Sequence, residues 1–539
     1  MIDDPRAKPI FQATDFYPAY VDVSTDMKKL PCIRTGSPAR FDKSHTFGNY
    51  GAKHLVKRCA GYIRINARRA LPFGRQEPNI VEQTQVNRSC IMPGYHDLPE
   101  EIILEIVKFA TPIYPTGDRI GSEELCNLRL VSKRFDNLVC PLLFSTLRLR
   151  FKDAPPYHIT TADYIRSQEI VKALAAGSTT VFHHTKKLYL TITILDSAEK
   201  EDKLSARTFL SDHIFNGICG LKNLRTINWY LNSRPHIEEL AFKVLGALST
   251  ITSFQSFEEF YLGSSSAGSH SLTLEPLSNL TIFRAQWEWH KPEHLIREIA
   301  FLLSRCPGLT ELALRDRPSS QCGNPALREF FSQIGQLERP WKLQKLELKS
   351  VAVAPDDIRA YIHHLKHLTF LEILRRPGSD AATNFGEIWD ILRRSGIALK
   401  GLSTDSPDDT LFLRYLSSYS GLTSLRLKAS YKTPDIVSQI CVQVLPNHAE
   451  TLECLELRCL YIDVSSKAFR QGDDVSLFEM WFEAGLQLSN LTDLFLLPSK
   501  RNKNKVYFST LKRVLLKYHK ERGLKFGVNG EWEPPFDGH

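Results

Sequence analysis

Leu343-Gln344-Lys345-Leu346-Glu347-Leu348 has the same apolar spacing as Leu309-Thr310-Glu311-Leu312-Ala313-Leu314 upstream and Leu422-Thr423-Ser424-Leu425-Arg426-Leu427 downstream. The shared template is apolar-x-x-apolar-x-apolar. It returns at Leu368/Leu371/Ile373, Leu452/Leu455/Leu457 and Leu491/Leu494/Leu496. Looser copies stand at Leu188/Leu190, Leu224/Ile227/Trp229, Phe257/Phe260/Leu262, Leu277/Leu280/Ile282 and Leu399/Leu402. Alternation at the end of each copy is the signature of a strand with one buried face. Central residues fall at 188, 227, 260, 280, 312, 346, 371, 402, 425, 455 and 494, so the gaps run from 20 to 39 residues.

Amphipathic stretches lie between the copies. Leu295, Ile296, Ile299, Ala300 and Leu303 share one helical face, and 358–365 and 411–419 show the same spacing. A strand followed by a helix at this period describes an irregular leucine-rich-repeat solenoid over 151–539, in which each unit covers its neighbour's apolar edge. The competing reading is an unrelated α/β domain with leucine-rich parallel strands. In the solenoid the residues between the strand leucines point to the opposite face. That stripe places Tyr189, Tyr230, Tyr261, Phe283, Arg315, Lys349, Arg426 and Arg458 on a candidate surface for a protein partner, because aromatic and arginine side chains concentrate interface energy. Ordinary solvated strand surface is the alternative.

Residues 93–150 have another pattern. Ile102, Ile103, Ile106, Val107 and Ala110 fall on one helical face after Pro99, Asp97 with Glu100 fits a capping box, and Pro112 ends the run. Leu125, Leu128, Ser132, Phe135 and Leu138/Val139 suit a second helix opened by Ser122 and stopped by Pro141, followed by a short strand over 147–151. Helices this short leave apolar side chains that need a neighbour, since covering one Leu or Ile is worth about 1.5–3 kcal/mol.

Leu98-Pro99-x-Glu101-Ile102-x-x-x-Ile106, then Leu125-x-x-Leu128-x-x-Val131-Ser132-Lys133-Arg134-Phe135, then Pro141-Leu142-Leu143-Phe144 resembles an F-box. Ser132 and Phe135 stand where the family carries cysteine and tryptophan, and the loop between the helices is longer than usual. An F-box ahead of divergent leucine-rich repeats resembles a common fungal architecture. The resemblance implies a short all-α module docking on the Skp-type adaptor of an SCF (cullin-RING) ubiquitin ligase, and through it on a cullin scaffold, while the repeats hold an unidentified protein substrate. Carried onto this chain, the adaptor-facing residues are Leu98, Pro99, Ile102, Ile106, Leu128, Val131 and Phe135. Leu128 and Phe135 fit the module's own core equally well.

The chain has 539 residues, 42% apolar and 24% charged, enough for more than one core. Its net charge of +9 is concentrated: nine Lys/Arg against Asp42 over 40–75, and ten against Glu521 over 500–525. Such runs can hold nucleic acid or an acidic partner, but a solvated tail and a solvated helix face are the simpler reading, so a nucleic-acid partner is not expected. Residues 1–92 form a poorly patterned basic extension, expected to be disordered, with one possible helix over 54–70. Eleven scattered cysteines without a CxxC pair suit free thiols, and no signal peptide or membrane span is legible, so a cytoplasmic or nuclear location is expected.

No phosphate loop, HExxH, GxSxG or EF-hand spacing occurs. His363-His364-x-x-His367 places imidazoles on one helical face without a third ligand nearby. The expectation is therefore a binding protein with no catalytic residues, cofactor or metal.

Overall fold

The computed structural model describes residues 98–110, 122–152, 161–193, 200–232, 238–263, 272–288, 293–317, 324–336, 339–375, 384–406, 410–427, 439–458, 484, 488, 493–497 and 525–527. The chain divides into two compact units, Met1–Gln83 and Thr84–His539, and every described residue lies in the second. The 1–92 extension, Asp97 with its capping box, and the basic 500–525 run (apart from Lys525) lie outside the described residues.

The fold is α/β, with one continuous parallel sheet. Its thirteen strands, counted among the described residues, are hydrogen-bonded in strict chain order. They are β1 (Thr146–Lys152), β2 (Lys187–Thr193), β3 (Thr226–Asn232), β4 (Ser256–Gly263), β5 (Ile282–Trp287), β6 (Glu311–Asp316), β7 (Lys345–Lys349), β8 (Phe370–Leu374), β9 (Gly401–Thr404), β10 (Ser424–Leu427), β11 (Cys454–Arg458), β12 (Asp493–Leu497) and β13 (Lys525–Gly527). Parallel neighbours require a crossover, and most crossovers here contain a helix. Sequential order with one strand per unit is the solenoid-like arrangement the template predicts. The boundary expected at 150/151 falls inside β1, which pairs along its whole length with β2.

Register explains the template. Leu147, Leu188 and Ile227 are successive partners, as are Phe283, Leu312, Leu346, Leu371, Leu402, Leu425, Leu455 and Leu494. The inward side chains from Leu147 to Leu455 are buried and form a single core with the helices laid on the same face. Those helices include Thr161–Ala175, Lys200–Cys219, Glu238–Ser249, Glu293–Ser304, Pro355–Tyr361, Phe385–Arg394 and Thr410–Leu416. The helices expected at 294–303, 358–365 and 411–419 are each present, the second finishing as a 3-10 turn over Ile362–His364.

Two strands depart from the sequence reading. The fourth copy is centred on Phe283, which pairs with Leu312, and not on Leu280. Leu277 and Leu280 are instead buried in the irregular segment ahead of the strand. In β4, Ile227 pairs with Phe257 but Asn228 pairs with Glu259, so one extra residue, Glu258, is inserted as a bulge.

A recurrent Leu-Thr pair ties successive units at the start of their strands. The hydroxyls of Thr281, Thr310, Thr369 and Thr423 donate to the carbonyls of Gln255, Thr281, Gln344 and Lys400 at 2.9–3.2 Å. A Cβ at Gly401 would meet the ring of Phe370, its partner across the β8–β9 pair, so a larger residue there needs that ring to move.

The residues before β1 form three helices: α1 (Glu100–Ala110), α2 (Ser122–Arg129) and α3 (Lys133–Leu143). The single second helix expected from Ser122 to Pro141 is broken. Ser132 is extended (φ −162°, ψ 162°) and its hydroxyl accepts the Phe135 N–H at 3.3 Å, so a serine read as part of a helical face is an N-cap. Pro141 lies inside α3, which ends two residues later. Thr185 donates its hydroxyl to the Phe144 carbonyl at 3.2 Å, joining the end of this module to the segment that leads into β2.

Candidate functional site

The helical module has two faces. Ile103, Val107, Leu125, Leu128, Phe135 and Val139 are buried. Leu128 and Phe135 are thus part of the module's own core in the free chain. Arg134 stitches the ends together: its guanidinium donates to the Leu98 carbonyl at 2.5 Å and lies 3.9 Å from the Glu100 carboxylate. That contact brings the start of α1 against the start of α3, beside the 130–132 turn.

The outward surface around that contact carries exposed apolar side chains among charged ones such as Glu100, Glu101 and Lys133. Pro99 is exposed, Ile102 is 47% exposed and Val131 43%, while Leu98 is half-buried. Leu130, missed in the sequence, is 81% exposed. It falls off the stripe read for a continuous helix and lies in the turn that follows Arg129. Of eight large apolar side chains left exposed among the described residues, three belong to this short module. The Ile106 side chain lies outside the described residues.

The sheet's outward face carries most of the predicted partner residues, but few are free. Tyr189 is half-buried between Arg148 and Lys187, whose charged groups sit 5.2 and 5.1 Å from its ring. Tyr230 and Tyr261 stack at 4.2 Å with 6° between their planes, and Arg317, paired with Glu288 at 2.5 Å, lies 5.6 Å from the Tyr261 ring centre. Phe283 is not on this face. It is 1% exposed and belongs to the core, because the register of β5 is centred on it.

The cations proposed as docking points are engaged with carboxylates from neighbouring strands. Arg315 meets Glu347 at 2.5 Å, Lys349 meets Glu372 at 3.2 Å, and Arg426 meets Glu456 at 3.5 Å. These three, expected from the sequence on a partner surface, are thus ion-paired within the chain; the Arg458 side chain lies outside the described residues. Glu347 is the best covered of the carboxylates. Burial pushes its pKa up, but Arg315 and Lys345, the latter at 2.9 Å, outweigh burial and hold it at about 2.

A depression of about 230 Å³ opens on the same face, lined by Asn228, Glu258, Glu259, Arg284, Gln286 and Arg315 among others. It was not legible from residue spacing, since two of its lining residues, Glu258 and Glu259, stand at the bulge in β4.

The histidine cluster resolves into structure. His364 is buried, its Nδ1 accepts the Trp341 N–H at 3.0 Å, and burial together with the neighbouring His363 pushes its pKa down to about 4. His448 does the same for Leu422, accepting its N–H at 3.3 Å. Among the described residues no group of three or more His, Cys, Asp or Glu side chains is placed to hold a metal ion. No helix among them is long and apolar enough to cross a membrane.

What the geometry defines is a class: a parallel α/β solenoid-like sheet entered through a small three-helix module that leaves Ile102, Leu130 and Val131 exposed. No protein-family model matches the chain, and no curated protein matches it.

Proposed function

We propose that this chain is the substrate-recognition subunit of an SCF-type ubiquitin ligase. In this reading residues 93–150 act as an F-box that docks on the Skp-type adaptor, and the sheet acts as a divergent leucine-rich-repeat solenoid that holds the protein to be modified. The protein itself is not the catalyst, and it works in the cytoplasm or nucleus, where that ligase operates.

One observation carries the proposal. The module that resembles an F-box in sequence has its core closed by Leu128 and Phe135, yet leaves Pro99, Ile102, Leu130 and Val131 exposed together. Apolar helical faces of this kind are what a groove on a partner covers. The sheet's face of stacked tyrosines and ion pairs suits the second task, because aromatic anchors beside matched charges favour specificity over adhesion.

Co-expression with the Skp-type adaptor tests this. The expected result is a one-to-one complex on size exclusion that survives about 1 M salt, since apolar docking is not screened, whereas binding through the basic runs to nucleic acid falls steeply with salt. Failure of the folded chain to co-elute with the adaptor at any salt concentration would overturn the proposal. A stable complex in which no captured protein becomes ubiquitinated would favour a scaffold.

A further inference from the structure

The bulge in β4 has a chemical consequence. In a regular strand only one of two successive residues faces a given side. The extra residue at Glu258 brings both Glu258 and Glu259 to the lining of the outward depression. Bulges that re-aim side chains in this way recur next to functional sites.

Charge matching then singles out one group. Glu258 is paired with Lys187, Arg284 with Glu311 at 2.5 Å, and Arg315 with Glu347 at 2.5 Å. Glu259 is exposed and has no ion pair or hydrogen bond among the described residues. Directly across from it, the Asn228 side-chain oxygen is buried and accepts no hydrogen bond. The unmet needs at this end of the depression are therefore a positive charge and a donor. An anion would have to displace Glu311 or Glu347 from its arginine to gain a place.

Two further atoms bear on the rest of the ligand. The Nε–H groups of Arg284 and Arg315 are buried and donate to nothing. A bare amine or a metal ion offers them no acceptor, but the carbonyls of a peptide backbone do. The stacked Tyr230–Tyr261 pair stands two residues further along β3 and β4 from Asn228 and Glu259, with Tyr261 buried and Tyr230 half-buried. The Tyr230 ring is placed to meet the aliphatic stem of a long basic side chain.

We propose that this depression reads a lysine or arginine on an extended polypeptide segment, with Glu259 and Asn228 receiving the cationic head and the Arg284 and Arg315 Nε–H groups receiving backbone carbonyls. The assignment rests on the reading of this face as the substrate surface, and it narrows the substrate to a protein with an accessible basic segment.

The test uses the full chain without adaptor and short degenerate peptides carrying one fixed central residue: lysine, arginine, norleucine or glutamate. Lysine and arginine peptides are expected to be retained about tenfold over norleucine, the effect of one well-placed charge pair. Glu259→Lys, at an exposed position where folding is not at stake, is expected to reverse the order in favour of glutamate, and circular dichroism checks that the variant is folded. Equal retention of all four peptides, or an unchanged lysine preference in Glu259→Lys, overturns the inference. Adaptor binding measured on the same preparation separates this from the ligase proposal. A lysine preference without adaptor binding sinks the ligase alone, and adaptor binding without a lysine preference sinks this inference alone.

Discussion

The double variant Ile102→Glu/Val131→Glu is expected to lose at least about a hundredfold in affinity for the Skp-type adaptor while keeping the stability of the parent. The two side chains are 47% and 43% exposed, so a carboxylate at either position reaches solvent in the free chain. On docking, each would carry an unpaired carboxylate into an apolar groove, and desolvating such a group costs several kcal/mol. Because about 1.4 kcal/mol corresponds to a factor of ten, a hundredfold loss is the lower end of that range. Leu128→Ala is the contrasting variant. Its side chain is buried, so truncation is expected to lower stability by about 2–5 kcal/mol, and adaptor affinity is expected to fall only as far as the module unfolds. Surface plasmon resonance for affinity and urea denaturation for stability separate the two. Equal adaptor affinity in the double variant and the parent would show that the exposed patch is not the docking face.

The second large effect concerns the sheet. Glu347→Gln is expected to remove a stabilisation that the parent holds at neutral pH and loses in acid. The carboxylate is nearly buried and sits between Arg315 and Lys345, with its pKa held at about 2 against an ordinary 4.5. A pKa lowered by folding means that the folded state favours the ionised form. The resulting stability is complete above about pH 5, declines as pH falls below 4.5, and is gone below about 2. The displacement corresponds to about 3 kcal/mol in that linkage. The difference in urea midpoint between parent and Glu347→Gln is therefore expected to be large at pH 7 and to shrink steadily between pH 5 and pH 3. Parallel acid profiles for the two proteins would show that the ion pair contributes nothing.

Much of this architecture could be read directly from residue spacing. A strand buried on one face repeats every second residue, and a parallel array places equivalent residues in register, so Leu312, Leu346, Leu371, Leu402 and Leu425 identify their own ladder. The reading failed where apolar residues were too dense to fix a phase. Leu277, Leu280, Ile282 and Phe283 satisfy the template in two ways, and only pairing with Leu312 chooses between them. It failed again at Glu258, because the inserted residue is chemically the same as its neighbour. The helix break at Ser132 was hidden for a related reason: serine fits a solvated helix face and an N-cap alike, and the cap became visible only from its bond to Phe135.

The candidate sites were legible to different degrees. Periodicity indicates which side chains leave the core, and so it found Tyr189, Tyr230 and Tyr261. It carries no information about what stands opposite on a strand some thirty residues away. Arg315, Lys349 and Arg426 looked available for that reason, although Glu347, Glu372 and Glu456 hold them. Their engagement shifts attention from the abundant cations to Glu259, a carboxylate lining the depression that has no ion pair among the described residues.

Amide hydrogen exchange of the full chain, with and without the purified Skp-type adaptor, tests the division of labour most directly. The expected result is slowed exchange over 98–110 and 129–135, the segments that carry Ile102, Leu130 and Val131, with the strands from β3 to β11 unchanged and left open for the substrate. Protection that falls on the strands, or an adaptor that leaves both helical segments exchanging as in the free chain, would contradict it.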